Sequence, residues 1–171
     1  MDFLAANRLG YALYSEMFAD PVRPVNSARF MFLNSRSHDF YPNWDHIADN
    51  TVAILRGAAG RNPYDENLSN LVGELSTRSD DFRTRWAAHD VRLHRTGVKR
   101  LQHPVVGVLD LTYEAMELPA DQGPTMFTYT AEPGTPSEDG LKLLASWAAT
   151  QDLVDGVTTD GTVSVRQQRS D

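Results

Sequence analysis

Leu109-Asp110-Leu111-Thr112-Tyr113-Glu114-Ala115 is the stretch whose reading decides the fold class. Its apolar members alternate with Asp110, Thr112 and Glu114, the period of two that turns one side of a β-strand toward a core and the other toward water. Working outward, residues 126–131 read as a second strand with Phe127 and Tyr129 on one side, and residues 119–124, bounded by two prolines, as the link. Upstream, residues 98–106 read as a preceding strand, broken near Pro104 and Gly107. Strands that follow one another through short links pair antiparallel, because a parallel pair needs a long crossover.

Before Gly97 the period is helical. Asn7 is a favoured N-cap, and Leu9, Leu13 and Met17 then share one face, with Tyr14 and Phe18 beside it, until Pro21 and Pro24 end the helix. Residues 26–33 hold an apolar run with no polar face, which predicts a short helix buried nearly all round. From Trp44, apolar residues recur at Ile47, Ala48, Thr51, Val52, Leu55 and Ala58, closed by Gly60. Asn62-Pro63 reads as the opening of another helix, with Leu68, Leu71, Val72 and Leu75 inside, and Ser79 as the cap of one carrying Phe82 and Trp86. Thr135-Pro136-Ser137-Glu138 is a capping box for a closing helix with Leu141, Leu144, Trp147 and Ala148 inside. The Gly-, Thr- and Asp-rich residues 151–171 read as a mobile tail, and residues 1–150 as one domain. A short strand near Phe3, several helices, three strands and a last helix predict an α+β domain: an antiparallel sheet, the Phe3 strand included, with helices packed on one face.

Composition narrows the function. The chain has 171 residues, 41% of them hydrophobic, no cysteine and a formal charge of −7. Disulfides and thiolate metal sites are excluded, and a cytoplasmic location fits. No apolar run approaches the roughly 20 residues that span a bilayer. An acidic chain is poorly suited to hold phosphates; the densest basic run, residues 92–100, reads as a solvated turn in preference to a phosphate-binding patch, and such a stripe can also serve as a contact to another domain.

Catalytic constellations are missing from the sequence. His38, His46, His89, His94 and His103 form no metal-ligand pair at helical spacing. Asp80-Asp81 and Glu138-Asp139 lie at predicted helix starts, where the dipole favours acids for structural reasons. There is no Gly-x-Ser-x-Gly, P-loop or dinucleotide fingerprint, so no enzyme activity and no cofactor is expected. Aromatic and apolar side chains remain, with polar Arg29, Arg85 and His89 embedded among them. A buried Arg or His must find a partner, either an internal acid or an acidic ligand.

Several segments together resemble a known family. They include residues 4–14, Asn26-Ser27-Ala28-Arg29-Phe30, Tyr41-Pro42-Asn43-Trp44 and Leu71-Val72-Gly73-Glu74-Leu75-Ser76. Residues 82–91, His103-Pro104-Val105-Val106-Gly107 and residues 129–137 continue the match in order up to about Trp147. The chain resembles the ligand-binding domain of MmyB-like transcription regulators. The resemblance implies a PAS-like fold, a pocket for a fatty acid or similar lipid-like effector, and control of an N-terminal helix-turn-helix DNA-binding domain, for which this sequence has no counterpart. DNA contact is then expected only through that domain, with a homodimer as a further expectation and no membrane partner. The expected ligand-binding residues are Arg29, Phe30, Leu33, Trp86, His89, Leu111, Tyr113 and Phe127, with Arg29 or His89 meeting an acidic headgroup. An internal salt bridge or helix cap is the alternative for both polar residues. The competing function is a protein-interaction or dimerisation module with no physiological small-molecule ligand.

Overall fold

The structure, a computed structural model, describes residues 1–88, 96–118 and 124–159. Eight helices and three strands succeed one another among them: α1 Arg8–Leu13, α2 Ser15–Phe18, α3 Ser27–Leu33, α4 Arg36–Phe40, α5 Trp44–Arg61, α6 Glu66–Arg78, α7 Asp80–Ala88, β1 Thr96–His103, β2 Gly107–Glu117, β3 Thr125–Thr130 and α8 Pro136–Thr159. The domain is α+β. Its strands form one antiparallel sheet in the order β1-β2-β3, with Leu101 opposite Leu109 and Tyr113 opposite Tyr129.

The alternation in β2 sets the sheet's two faces. Leu109 and Leu111 are fully buried, as is Leu101 of β1, whereas Val108, Thr112 and Glu114 are exposed. α8 packs on β2 and α4 on β1, so helices cover the inner face. The outer face carries Arg100, whose guanidinium bonds both Asp110 carboxylate oxygens across the strands at 2.7 Å. Turn chemistry matches the hairpin: Gly107 has φ of +77°, a conformation costly for any residue with a Cβ. α8 rides close to the sheet because residue 140 is glycine. A Cβ there would lie 2.6 Å from Leu109 Cδ2.

Two apolar clusters share the helices. The larger joins Leu13, Tyr14, Met17, Phe30, Met31, Phe40, Tyr41 and Trp44 to the sheet leucines and to Leu144 and Ala148 of α8. The smaller packs Ala28, Val52, Leu55, Leu71, Leu75 and Phe82 between α3, α5, α6 and α7. Phe32 touches both, which explains why α3 has so little solvent face. Burying each large side chain contributes roughly 1.5–3 kcal/mol.

Several caps are as the sequence predicts. Asn7 accepts from the Gly10 N–H at 2.7 Å, and Ser79 Oγ from Phe82 at 3.2 Å. Thr135 Oγ1 accepts from Glu138 N–H at 3.4 Å, while the Glu138 carboxylate turns back to the Gly134 N–H at 2.8 Å.

Other expectations need correction. The strand expected near Phe3 does not join the sheet. Its partner is the segment before α3, through an isolated Asp2–Asn26 bridge and a 2.9 Å bond from Phe3 N–H to the Val25 carbonyl. Asn26 fixes this arrangement, its oxygen capping α3 while its amide donates to Asp2 at 2.6 Å. The first helix is two short ones that meet at Tyr14. α6 is capped by Asp65 rather than Asn62, because the Asp65 carboxylate accepts from Leu68 N–H at 3.1 Å. α4 was not foreseen at all; in it Ser37 accepts from Trp44 Nε1 at 3.0 Å and donates to the Met31 carbonyl at 2.9 Å. The expected tail of residues 151–171 falls for the most part outside the described residues: the backbone of α8 runs to Thr159, and residues 160–171 lie beyond them.

Candidate functional site

Among the described residues, helices cover the inner sheet face at one end and thin out at the other. Toward the β1–β2 hairpin, Leu101, Leu109 and Leu111 lie fully buried under the helices. Two residues further along each strand the cover thins: Tyr113 is 8% exposed, Ala115 is half-buried, and Phe127, opposite Ala115, is 47% exposed. An apolar strip therefore runs continuously from core to water.

Where the two regimes meet stands a group of tyrosines around one lysine. Lys99 shares the inner face with Leu111, its register partner. Its Nζ lies 5.6 Å from the ring centre of Tyr113, 5.7 Å from that of Tyr129 and 5.9 Å from that of Tyr41. The Tyr113 ring passes over Gly97, its register partner, at ordinary van der Waals distance. From the helical side, the Tyr14 hydroxyl donates to the Tyr129 hydroxyl at 2.7 Å. Burial pushes the Tyr14, Tyr41 and Tyr113 phenols above the ordinary tyrosine range, and the neighbouring Tyr129 adds to each shift. These hydroxyls stay neutral at physiological pH, leaving the Lys99 ammonium as the charge of the group.

The eight residues predicted from sequence do not gather at one point. Leu111 and Tyr113 line the inner face and Phe127 its open end. Phe30 sits one layer behind, edge-on to Phe40 and Tyr41 at 5.9 and 6.3 Å. Leu33 and Trp86 border the smaller cluster, where Trp86 stacks on Phe82 and carries the Arg56 guanidinium at 4.6 Å. Arg29 bonds Glu74 of α6 through Nε at 2.8 Å. That hydrogen bond, more than the charge alone, draws the Glu74 carboxyl below its usual range, and Arg78 adds to it at 2.7 Å. His89 lies outside the described residues.

Other polar groups in the interior are structural. His103 is buried, its Nε2 3.0 Å from the Ala12 carbonyl while Nδ1 accepts from Val105 N–H at 3.2 Å. The neutral ring protonated on Nε2 satisfies both contacts. Burial lowers its pKa against the opposing pull of the carbonyl and of Glu16. Arg85 clamps Asp45 and Asp49 and faces the Trp44 ring at 5.3 Å. Among the described residues no three His, Asp or Glu side chains gather to hold a metal ion, and no helix is long and apolar enough to cross a membrane. Two open depressions, one beside Tyr64 and Asn70 and one beside Asp81 and Arg85, lie away from the sheet.

The missed residues are Lys99, Tyr129 and Tyr14. Tyr129 could be seen as an inward strand residue, but nothing local marks Lys99 as inward-facing.

A comparison with curated proteins found no match. The family model described as "MmyB-like transcription regulator ligand binding domain" matches residues 1–144, a span that takes in every element from α1 to β3 and the first turns of α8. With most of its length so matched, the chain belongs to the family of MmyB-like transcription regulator ligand binding domains.

Proposed function

We propose that this domain receives a fatty acid or similar lipid-like effector along the open end of its inner sheet face, and that occupancy controls an attached helix-turn-helix DNA-binding domain in the cytoplasm. The observation that carries this reading is the uncovered apolar strip. Phe127 is large, aromatic and 47% exposed, yet lies on the same face as the fully buried Leu111. A sheet face that passes from packed core to open apolar surface offers an acyl chain a place to continue the core. Tyr113 and Phe127 would line that path, Leu111 would form its floor, and Phe30 would back it through Tyr41.

Affinity in such a site comes from length. Each methylene buried contributes about 0.8 kcal/mol, so binding should tighten by roughly tenfold or more with every two carbons until the strip is full. Native mass spectrometry of the freshly purified chain, alone and with octanoate, decanoate and dodecanoate, tests the proposal. One-to-one adducts whose affinity rises with chain length are expected. Absence of adducts at every length would overturn it.

A second reading has its own support. The outer face exposes Val98, Val108, Met116 and Met126 between its polar and charged residues, and apolar side chains there suit contact with another protein or a second copy. Light scattering across a concentration series separates the two. A dimer that ignores the acids and forms without them would favour the interaction module.

A further inference from the structure

We propose that Lys99 and the Tyr129 hydroxyl, beside Tyr113, form the seat of a monoanionic carboxylate headgroup, with the attached apolar chain leaving over Ala115 and Phe127. The inference deepens the effector reading above and rests on it.

The first argument is the unmet hydrogen-bonding capacity of Lys99. An ammonium carries three N–H donors, and aromatic faces attract its charge without offering lone pairs in hydrogen-bond geometry. Arg29, Arg85, Arg100 and Lys142 each reach a carboxylate, whereas Lys99 reaches none among the described residues. It is half-buried with tyrosine rings within 6 Å. A cation kept partly from water in this way gains most from an anion brought to it.

The second argument is the direction of the tyrosine chain. Tyr14 donates to the Tyr129 oxygen at 2.7 Å, so the Tyr129 proton points elsewhere. A hydroxyl that already accepts one bond donates a stronger one. Tyr129 is half-buried and shares the inner face with Lys99, so its proton and the ammonium can meet one acceptor. A carboxylate has two oxygens for two such donors.

The third argument is charge. Burial keeps the Tyr14, Tyr41 and Tyr113 phenols neutral, so among the described residues Lys99 supplies the positive charge of the site. A carboxylate balances it, whereas a phosphate dianion would leave an uncompensated charge beside apolar surface. Phe127 and Ala115 follow two residues from Tyr129 and Tyr113 on the same face. A headgroup on Lys99 therefore leads its chain onto apolar surface.

The test compares decanoate, decan-1-ol and inorganic phosphate, using tryptophan fluorescence and calorimetry on the full chain. Wild type is expected to prefer the acid over the alcohol by roughly 10-fold to 100-fold, the range of one or two charge-assisted bonds. Lys99→Met keeps the aliphatic stem and should abolish the preference while holding the alcohol affinity. Tyr129→Phe should weaken acid binding about threefold to tenfold, and Lys142→Met, on exposed α8 surface, should leave the preference intact. Should Lys99→Met fail to fold by circular dichroism, Tyr129→Phe decides. Equal binding of acid and alcohol by wild type would overturn the headgroup seat while leaving the apolar site standing. Binding of neither would overturn both. Phosphate bound as tightly as decanoate would mark an unselective anion contact and also overturn the proposal.

Discussion

The Tyr14 hydroxyl donates to the Tyr129 hydroxyl at 2.7 Å, tying the turn between α1 and α2 to the last strand across 115 positions of sequence. The two ends of the bond are unequal. Tyr14 is 4% exposed, whereas Tyr129 is half-buried and can reach water. Tyr129→Phe therefore strands a buried donor and should cost about 1–3 kcal/mol, more than Tyr14→Phe at about 0.5–1.5 kcal/mol. The double variant should cost less than the sum, read as a coupling in a urea-denaturation cycle. Strict additivity would show the bond contributes nothing.

Acid sensitivity follows from His103. Its buried ring is satisfied when neutral, and its folded pKa lies below the usual 6.5. The unfolded chain therefore binds the proton more readily. This contribution is fully present above about pH 6.5 and is lost as pH falls toward the folded pKa. Urea midpoints should decline from pH 7 to pH 5, and His103→Gln should flatten that decline while lowering stability at pH 7. An unchanged slope would assign the sensitivity to other groups.

Arg29 and Glu74 make a partly buried pair, with Arg78 as a second partner. Arg29→Ala should destabilise by about 1 kcal/mol, because Glu74 keeps one cation and some solvent. Glu74 is held below its usual pKa of 4.5, so the pair's stabilisation is fully present above about that pH and disappears as pH drops through the folded value. In the variant, the stability difference from wild type should therefore shrink between pH 5 and pH 3. A difference constant across that range would show that lost packing, not charge, dominates.

Gly140 permits the approach of α8 to β2. Gly140→Ala would put a methyl 2.6 Å from Leu109 Cδ2, on a leucine with no exposure and little room to turn. A cost of about 1–3 kcal/mol is expected from overpacking, outweighing the roughly 0.4–1 kcal/mol by which Gly→Ala ordinarily stabilises a helix. Thermal denaturation gives the sign directly.

The fold was legible where the signal is local. The alternation around Leu109 fixed the strand and its buried side, and Ser79, Asn7 and Thr135 cap the helices they announce. Asn62 misled because Pro63 imitates a helix start, while Asp65 three residues on supplies the actual acceptor. Residues near Phe3 look extended and are, but the choice between sheet and α3 depends on Asn26 and Asp2 meeting across the fold. The tyrosine group was illegible for the same reason. Its members come from the α1–α2 turn, the end of α4 and all three strands, and Lys99 turns inward only through its register with Leu111. Arg29 was visible as a polar residue in need of a partner, and Glu74, 45 positions away, is the partner the sequence could not name.

The close approach at Gly140 also has a mechanical side. A joint packed to 2.6 Å of a missing methyl has no slack, and close-packed interiors compress very little. Displacement on the inner sheet face must then be taken up elsewhere, and the same strands offer a place for it where Ala115 and Phe127 meet water. β2 is thus held fast where α8 crosses it, and the room for displacement lies at the far end of the same face.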